Sequence, residues 1–144
     1  MRKWAWLSLS WVLTVSRSSQ TLVFGSSAQR TVTAIMGVTN ITNLEQFNKA
    51  LKDAGDKLVV VDFTASWCGP CKKIGPIFKT QADLPENSNV VFLVVDVDVA
   101  ADVSEKCGIK AMPTFFYYKN GNKVDELTGA NDAKLISKLA SLRT

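Results

Sequence analysis

Residues 58–71 read Leu58-Val59-Val60-Val61-Asp62-Phe63-Thr64-Ala65-Ser66-Trp67-Cys68-Gly69-Pro70-Cys71. The run from Leu58 to Phe63, apolar and rich in β-branched residues, has the length and composition of a buried strand. After Cys71, the segment Lys72-Lys73-Ile74-Gly75-Pro76-Ile77-Phe78-Lys79 spaces its apolar residues as one face of a helix does. Two cysteines three positions apart therefore fall on a strand-to-helix turn. Cys68 stands at the helix N-terminus and Cys71 within its first turn. Unpaired backbone N–H groups and the helix dipole stabilise a thiolate there, so a thiol pKa falls. A thiolate beside a second thiol exchanges disulfides.

Composition bounds the rest. With 144 residues, 47% of them hydrophobic, the chain buries one ordinary core. The net charge of +4 comes from Arg2, Lys3, Arg17 and Arg30, all of which precede the first acidic residue, Glu45. The basic residues after Met36 equal the 13 acidic ones. No basic face interleaved with aromatics stands out, so no nucleic acid is expected as a partner. There is no histidine, which excludes Ser-His-Asp and Cys-His hydrolase chemistry. Cys68, Cys71 and Cys107 lack a fourth ligand at zinc-site spacing, so no metal is expected. Three cysteines, an odd number, do not form a secreted disulfide framework.

Residues 1–36 differ from residues 37–144. They are rich in Ser, Thr and Trp and carry only positive charge. Three readings stay open: a signal peptide with Ser26-Ser27-Ala28 as its cleavage site, a mitochondrial transit peptide, or an untranslated leader with the start at Met36. The apolar stretch near the start is too short and interrupted to span a bilayer, so no stable membrane association is expected.

From Met36 the pattern becomes regular. Val38–Ile41 is a short strand. Thr42-Asn43-Leu44-Glu45 reads as a capping box that opens a helix, closed by Gly55. The strand at 58–63, the cysteine turn and a helix kinked at Pro76 follow. Residues 84–89 are loop, residues 90–97 a second buried strand and residues 99–107 a short helix. Thr114–Lys119 and Lys123–Thr128 form a hairpin about Asn120-Gly121. Asp132–Leu142 closes the chain as a helix burying Leu135, Ile136 and Leu139. The order βαβαβαββα implies an α/β fold, a mixed central sheet with helices on both faces.

This domain resembles thioredoxin. The likeness covers residues 37–144 and rests on Val60-Val61-Asp62-Phe63, Trp67-Cys68-Gly69-Pro70-Cys71, Asp96-Val97-Asp98, Ala111-Met112-Pro113-Thr114-Phe115 and Gly129. Asp56–Phe63 and Leu127–Asn131 look like the animal cytosolic branch. The resemblance implies the thioredoxin fold, a cytoplasmic location unless residues 1–36 target the chain elsewhere, and protein-disulfide reduction that maintains cell redox homeostasis. It implies no bound cofactor, disulfide-containing protein substrates, and thioredoxin reductase, an NADPH-dependent flavoprotein, as the electron source.

Position on the turn and the resemblance together assign roles. Cys68, with an exposed sulfur, is the nucleophile, and Cys71, more buried, resolves the mixed disulfide, leaving Cys68–Cys71 oxidised. Gly69 and Pro70 set a reducing poise, since proline offers no N–H to the thiolate. Burial of Asp62 without a partner raises its pKa, and the family's matching aspartate is the acid/base for the resolving thiol. Trp67 is a flat contact for substrate, its indole near Asp98. Pro113 is expected to be cis, freeing the Met112 backbone to pair with an extended substrate. Gly129 and Ala130 leave room for that peptide. Cys107 is either a regulatory thiol or a small buried hydrophobe.

The chain departs from the family at Ala111, where some vertebrate relatives carry cysteine, and at Asp83-Leu84-Pro85-Glu86, where an early helix end and a longer loop are expected. Two rival functions stay open: a secretory disulfide isomerase or oxidase, which Gly69-Pro70 argues against, and a redox-dependent binding module.

Overall fold

The computed structural model describes residues 37–144; the three readings of residues 1–36 lie outside them. The elements are β1 (Val38–Ile41), α1 (Leu44–Ala54), β2 (Val59–Thr64), α2 (Gly69–Asp83), a 3-10 turn (Pro85–Asn87), β3 (Val91–Asp96), α3 (Ala101–Cys107), β4 (Thr114–Lys119), β5 (Asn122–Thr128) and α4 (Asp132–Leu142). They follow the expected order. The strands form one sheet in the order β1-β3-β2-β4-β5. β2 lies at its centre, parallel to β3 and antiparallel to β4.

Alternation along β2 divides the core between the two faces of the sheet. Val59, Val61 and Phe63 pack with Phe47 and Ala54 of α1 and Val103 of α3. Val60 packs on the opposite face with Ile74 and Phe78 of α2 and Leu135 and Leu139 of α4. Asp62 shares the parity of Val60, so it sits on the face that carries the cysteine helix. Phe78 anchors that helix, with ring centroids 5.2 Å from Phe92 and 5.7 Å from Phe115. Cutting such a buried Phe to Ala costs about 3–5 kcal/mol.

Several local expectations are corrected. The central strand is Val59–Thr64 rather than 58–63, although Leu58 is buried and its carbonyl accepts the Val91 N–H at 2.9 Å. Asn43, not Thr42, caps α1: its side chain accepts the Gln46 N–H at 2.8 Å. Gln46 in turn accepts the Thr42 N–H at 3.0 Å. The third helix starts at Ala101, because the Val99 and Ala100 N–H groups close a turn on the Asp96 carbonyl. Ile136 is 41% exposed, since it lies a helical step from the Leu135–Leu139 stripe. α2 ends at Asp83 as expected, and the loop after it includes a 3-10 turn. Asn120 and Gly121 both take positive φ, 53° and 79°, which the two-residue hairpin turn requires.

Candidate active site

Strand β2 ends at Thr64, and the chain turns through Ala65, Ser66 and Trp67 into α2. Cys68 is the N-cap of that helix, with extended backbone, Gly69 is the first helical residue, and Pro70 follows it. Proline suits the first turn because the N–H it lacks has no partner there. Cys71 comes next, and its N–H donates to the Sγ of Cys68 at 3.2 Å. The sulfur thus takes the place a serine or aspartate oxygen holds at ordinary helix caps. Cys68 and Cys71 form a disulfide.

Both cysteines are 5% exposed, so the expected contrast between an exposed Cys68 and a more buried Cys71 is absent in this disulfide form. The pair packs with Ala65, and Val97 and Met112 cover it. What separates the two sulfurs is the capping hydrogen bond.

The Met112–Pro113 peptide is cis, and Met112 touches the cysteine cluster. The Thr114 hydroxyl, donating to the Ala111 carbonyl at 2.7 Å, fastens this loop. The Gly129 N–H donates to the Pro113 carbonyl at 2.9 Å, which brings Gly129 to the loop. Gly129 takes φ +99°, and a Cβ there would meet nothing within 4 Å. Its backbone requires glycine, while the space beside it is open. Trp67 is 65% exposed, and its indole N–H donates to the Asp98 carboxylate at 2.9 Å. A flat aromatic held beside the disulfide offers a surface to an incoming chain.

Asp62 is 4% exposed, and its Oδ1 has no hydrogen-bond partner among the described residues. Desolvation pushes its pKa up to about 7, against the lowering pull of the Lys79 ammonium. Asp62 and Cys71 line the same cleft, of about 330 Å³. A carboxyl that titrates near neutrality beside a thiol can take or return that thiol's proton. The cleft also holds Asp96, and with it Lys79 and Gly75, two helix residues to which the sequence reading gave no role. Their signal was the helical spacing of 71, 75 and 79, one turn apart on a single face.

Cys107 stands apart. It packs against the opposite core, with its sulfur 3.8 Å from the Tyr118 hydroxyl. Burial pushes its thiol pKa up, and the Tyr118 contact opposes that only in part. Among the described residues no cluster of His, Cys, Asp or Glu is placed to hold a metal, and no helix is long and apolar enough to cross a membrane.

The thioredoxin family model matches residues 38–141. The chain belongs to the thioredoxin family. A thioredoxin from Ictalurus punctatus is 64% identical over 102 residues, covering 71% of this chain and 95% of that protein. One from Gallus gallus is 52% identical over 105 residues, covering 73% and 98%. The crystal structure of Malassezia sympodialis thioredoxin aligns with a TM-score of 0.71 and 41% identity, covering 78% of this chain and 96% of that one. Thioredoxin f from spinach chloroplast also aligns at 0.71, with 35% identity, covering 77% and 97%. Thioredoxins are protein-disulfide oxidoreductases that need no bound cofactor, and Cys68–Cys71 is the redox-active pair of this one.

Proposed function

We propose that the chain reduces protein disulfides with Cys68 as nucleophile, Cys71 as resolving thiol and Asp62 as the acid/base that serves Cys71. The observation that carries this reading is the Cys71 N–H directed at the Cys68 sulfur. A donor aimed at one of two neighbouring sulfurs favours negative charge on that sulfur.

The Cys68 thiolate attacks one sulfur of a client disulfide. A Cys68–client disulfide forms, and the client's other sulfur leaves as a thiolate. Cys71 then gives its proton to Asp62 and attacks the Cys68 sulfur. The Cys68–Cys71 bond forms, the mixed disulfide breaks, and the second client thiolate departs. Two electrons have passed to the client, whose thiolates take up two protons. Trp67, the Met112 backbone beside cis Pro113, and Gly129 hold the client segment in extended form across the pair. Electrons return from NADPH through the flavoprotein thioredoxin reductase.

The pair Gly69 and Pro70 supports reduction over oxidation, because no side-chain cation stands between the cysteines to stabilise the thiolate. Cytoplasmic residence fits the resemblance to animal cytosolic relatives, and sequencing the N-terminus of the protein from cells tests it.

The functional test is NADPH consumption by the full chain with thioredoxin reductase and insulin, together with a reduction potential. Turnover and a potential of roughly −270 mV, a value that belongs to thioredoxin as a family rather than to these residues, support the reading. A potential near roughly −180 mV, the range of protein disulfide isomerase, points to the isomerase instead.

A further inference from the structure

The cleft beside Asp62 contains a feature that the exchange chemistry above does not use. Its helix side is formed by Cys71, Gly75 and Lys79, stacked one turn apart on α2, with Lys72 beside them. Its sheet side is formed by Asp62 and its β3 register partner Val94, with Asp96 two residues on. The β4 partner of Asp62 is Phe115, which carries no charge.

Gly75 lies inside a helix, where glycine costs about 1 kcal/mol relative to alanine. Its φ is not positive, and a Cβ would meet nothing within 4 Å. Neither backbone nor packing demands glycine there. What its missing side chain does is leave the cleft open between Cys71 and Lys79. The cleft thus runs from the buried carboxylate to a lysine that is exposed to solvent.

We infer that Lys79 is a positioning residue for proton transfer: its ammonium, at the solvent end of the cleft that Gly75 leaves open, keeps enough Asp62 ionised for it to accept the Cys71 proton near neutrality. This use of Lys79 rests on the acid/base reading of Asp62 given above. Three other titratable residues line the cleft. Cys71 is the proton donor in question. Asp96 accepts the Asp98 N–H at 2.9 Å, and Lys72 is a second exposed lysine in the lining. Lys79 is the charge whose pull on Asp62 opposes the burial effect. After resolution, the proton on Asp62 leaves through the same cleft to solvent. Because Lys79 is exposed, its influence is screened by salt.

The test is a carbon-13 titration of the Asp62 carboxyl in the full oxidised chain, for the native protein, Lys79→Gln and Lys79→Arg, at low and high salt. The rate of mixed-disulfide resolution against pH is measured alongside it. Lys79→Gln is expected to move the Asp62 midpoint up by about half a pH unit at low salt. Lys79→Arg is expected to leave it near the native value, and high salt to draw native and Gln variants together. The acid limb of the rate profile then moves by the same amount, with resolution roughly twofold slower at pH 7 in the Gln variant. An Asp62 midpoint unchanged in Lys79→Gln, or moved as far by Arg as by Gln, overturns the inference. A midpoint that moves while the rate profile stays still supports the placement of Lys79 and overturns the acid/base reading of Asp62.

Discussion

The backbone N–H of Cys71 donates to the sulfur of Cys68 at 3.2 Å, so a sulfur atom caps the helix that both residues begin. The two cysteines are equally buried, and this bond is what makes them chemically unequal. On the proposed mechanism the same donor faces the Cys68 thiolate in the reduced protein, where the N-terminal end of the helix dipole adds to its effect. Pro70 contributes no N–H to that thiolate.

Replacing Pro70 by His therefore adds a cation beside the thiolate. It stabilises the reduced form by about 1–2 kcal/mol, which corresponds to roughly 20–40 mV. The expected result is a more oxidising potential for Pro70→His, measured against a glutathione buffer. A more reducing potential contradicts the electrostatic account of poise.

Asp62 makes stability depend on pH. Its ordinary value is 3.8, and in the fold it rises to about 7. Between those values the folded chain holds a proton that the unfolded chain releases. Folded protein then binds more protons, so stability falls as pH rises through that window and levels off above it. Asp62→Asn removes the penalty and is expected to be more stable than the native protein at pH 8, by roughly 2–4 kcal/mol. Near pH 4 the two are expected to be similar. Urea unfolding at both pH values checks this, and an equal difference at both contradicts it.

Tyr117 is fully buried, and its hydroxyl has no partner among the described residues. A buried hydroxyl without a partner has already lost its water bonds, so deleting it removes a cost. Tyr117→Phe is expected to leave the urea midpoint unchanged or raise it, by up to about 1 kcal/mol. A loss greater than that means the hydroxyl has a hydrogen-bond partner.

Cys107 is expected to behave as a core thiol. Burial holds its pKa up, so little thiolate is present at neutral pH. With Cys68 and Cys71 oxidised, it is expected to react with iodoacetamide more slowly than glutathione does at pH 7.5, and Cys107→Ala to keep native reductase turnover. Alkylation faster than glutathione's assigns it a regulatory role instead.

The site was legible where its cause is local. The change from a strand pattern to a helix pattern between Phe63 and Cys71 placed the dithiol, and an acidic residue inside an apolar strand marked Asp62, while the face it takes, that of α2, is set by the fold. Less local features were not. Thr42-x-x-Glu45 and Asn43-x-x-Gln46 both fit a helix start, and the choice between them is tertiary: the Leu44 N–H is held by Asp102 at 2.8 Å, 58 residues away. Ile136 fitted the apolar stripe of the last helix by composition, yet only packing decides which side of it faces inward. The burial of Cys68 depends on Val97 and Met112, which distant loops supply. The cis Met112–Pro113 bond was expected from the family, since nothing in the local residues distinguishes it from trans. Lys79 escaped notice because its distance from Asp62 in sequence hides a shared cleft.

The most direct measurement is covalent capture by the full-length Cys71→Ser protein. Incubated with insulin and analysed by mass spectrometry without reductant, it is expected to accumulate a mixed disulfide on Cys68, while Cys68→Ser accumulates far less. Capture at Cys71 in preference to Cys68, or none at either, contradicts the account.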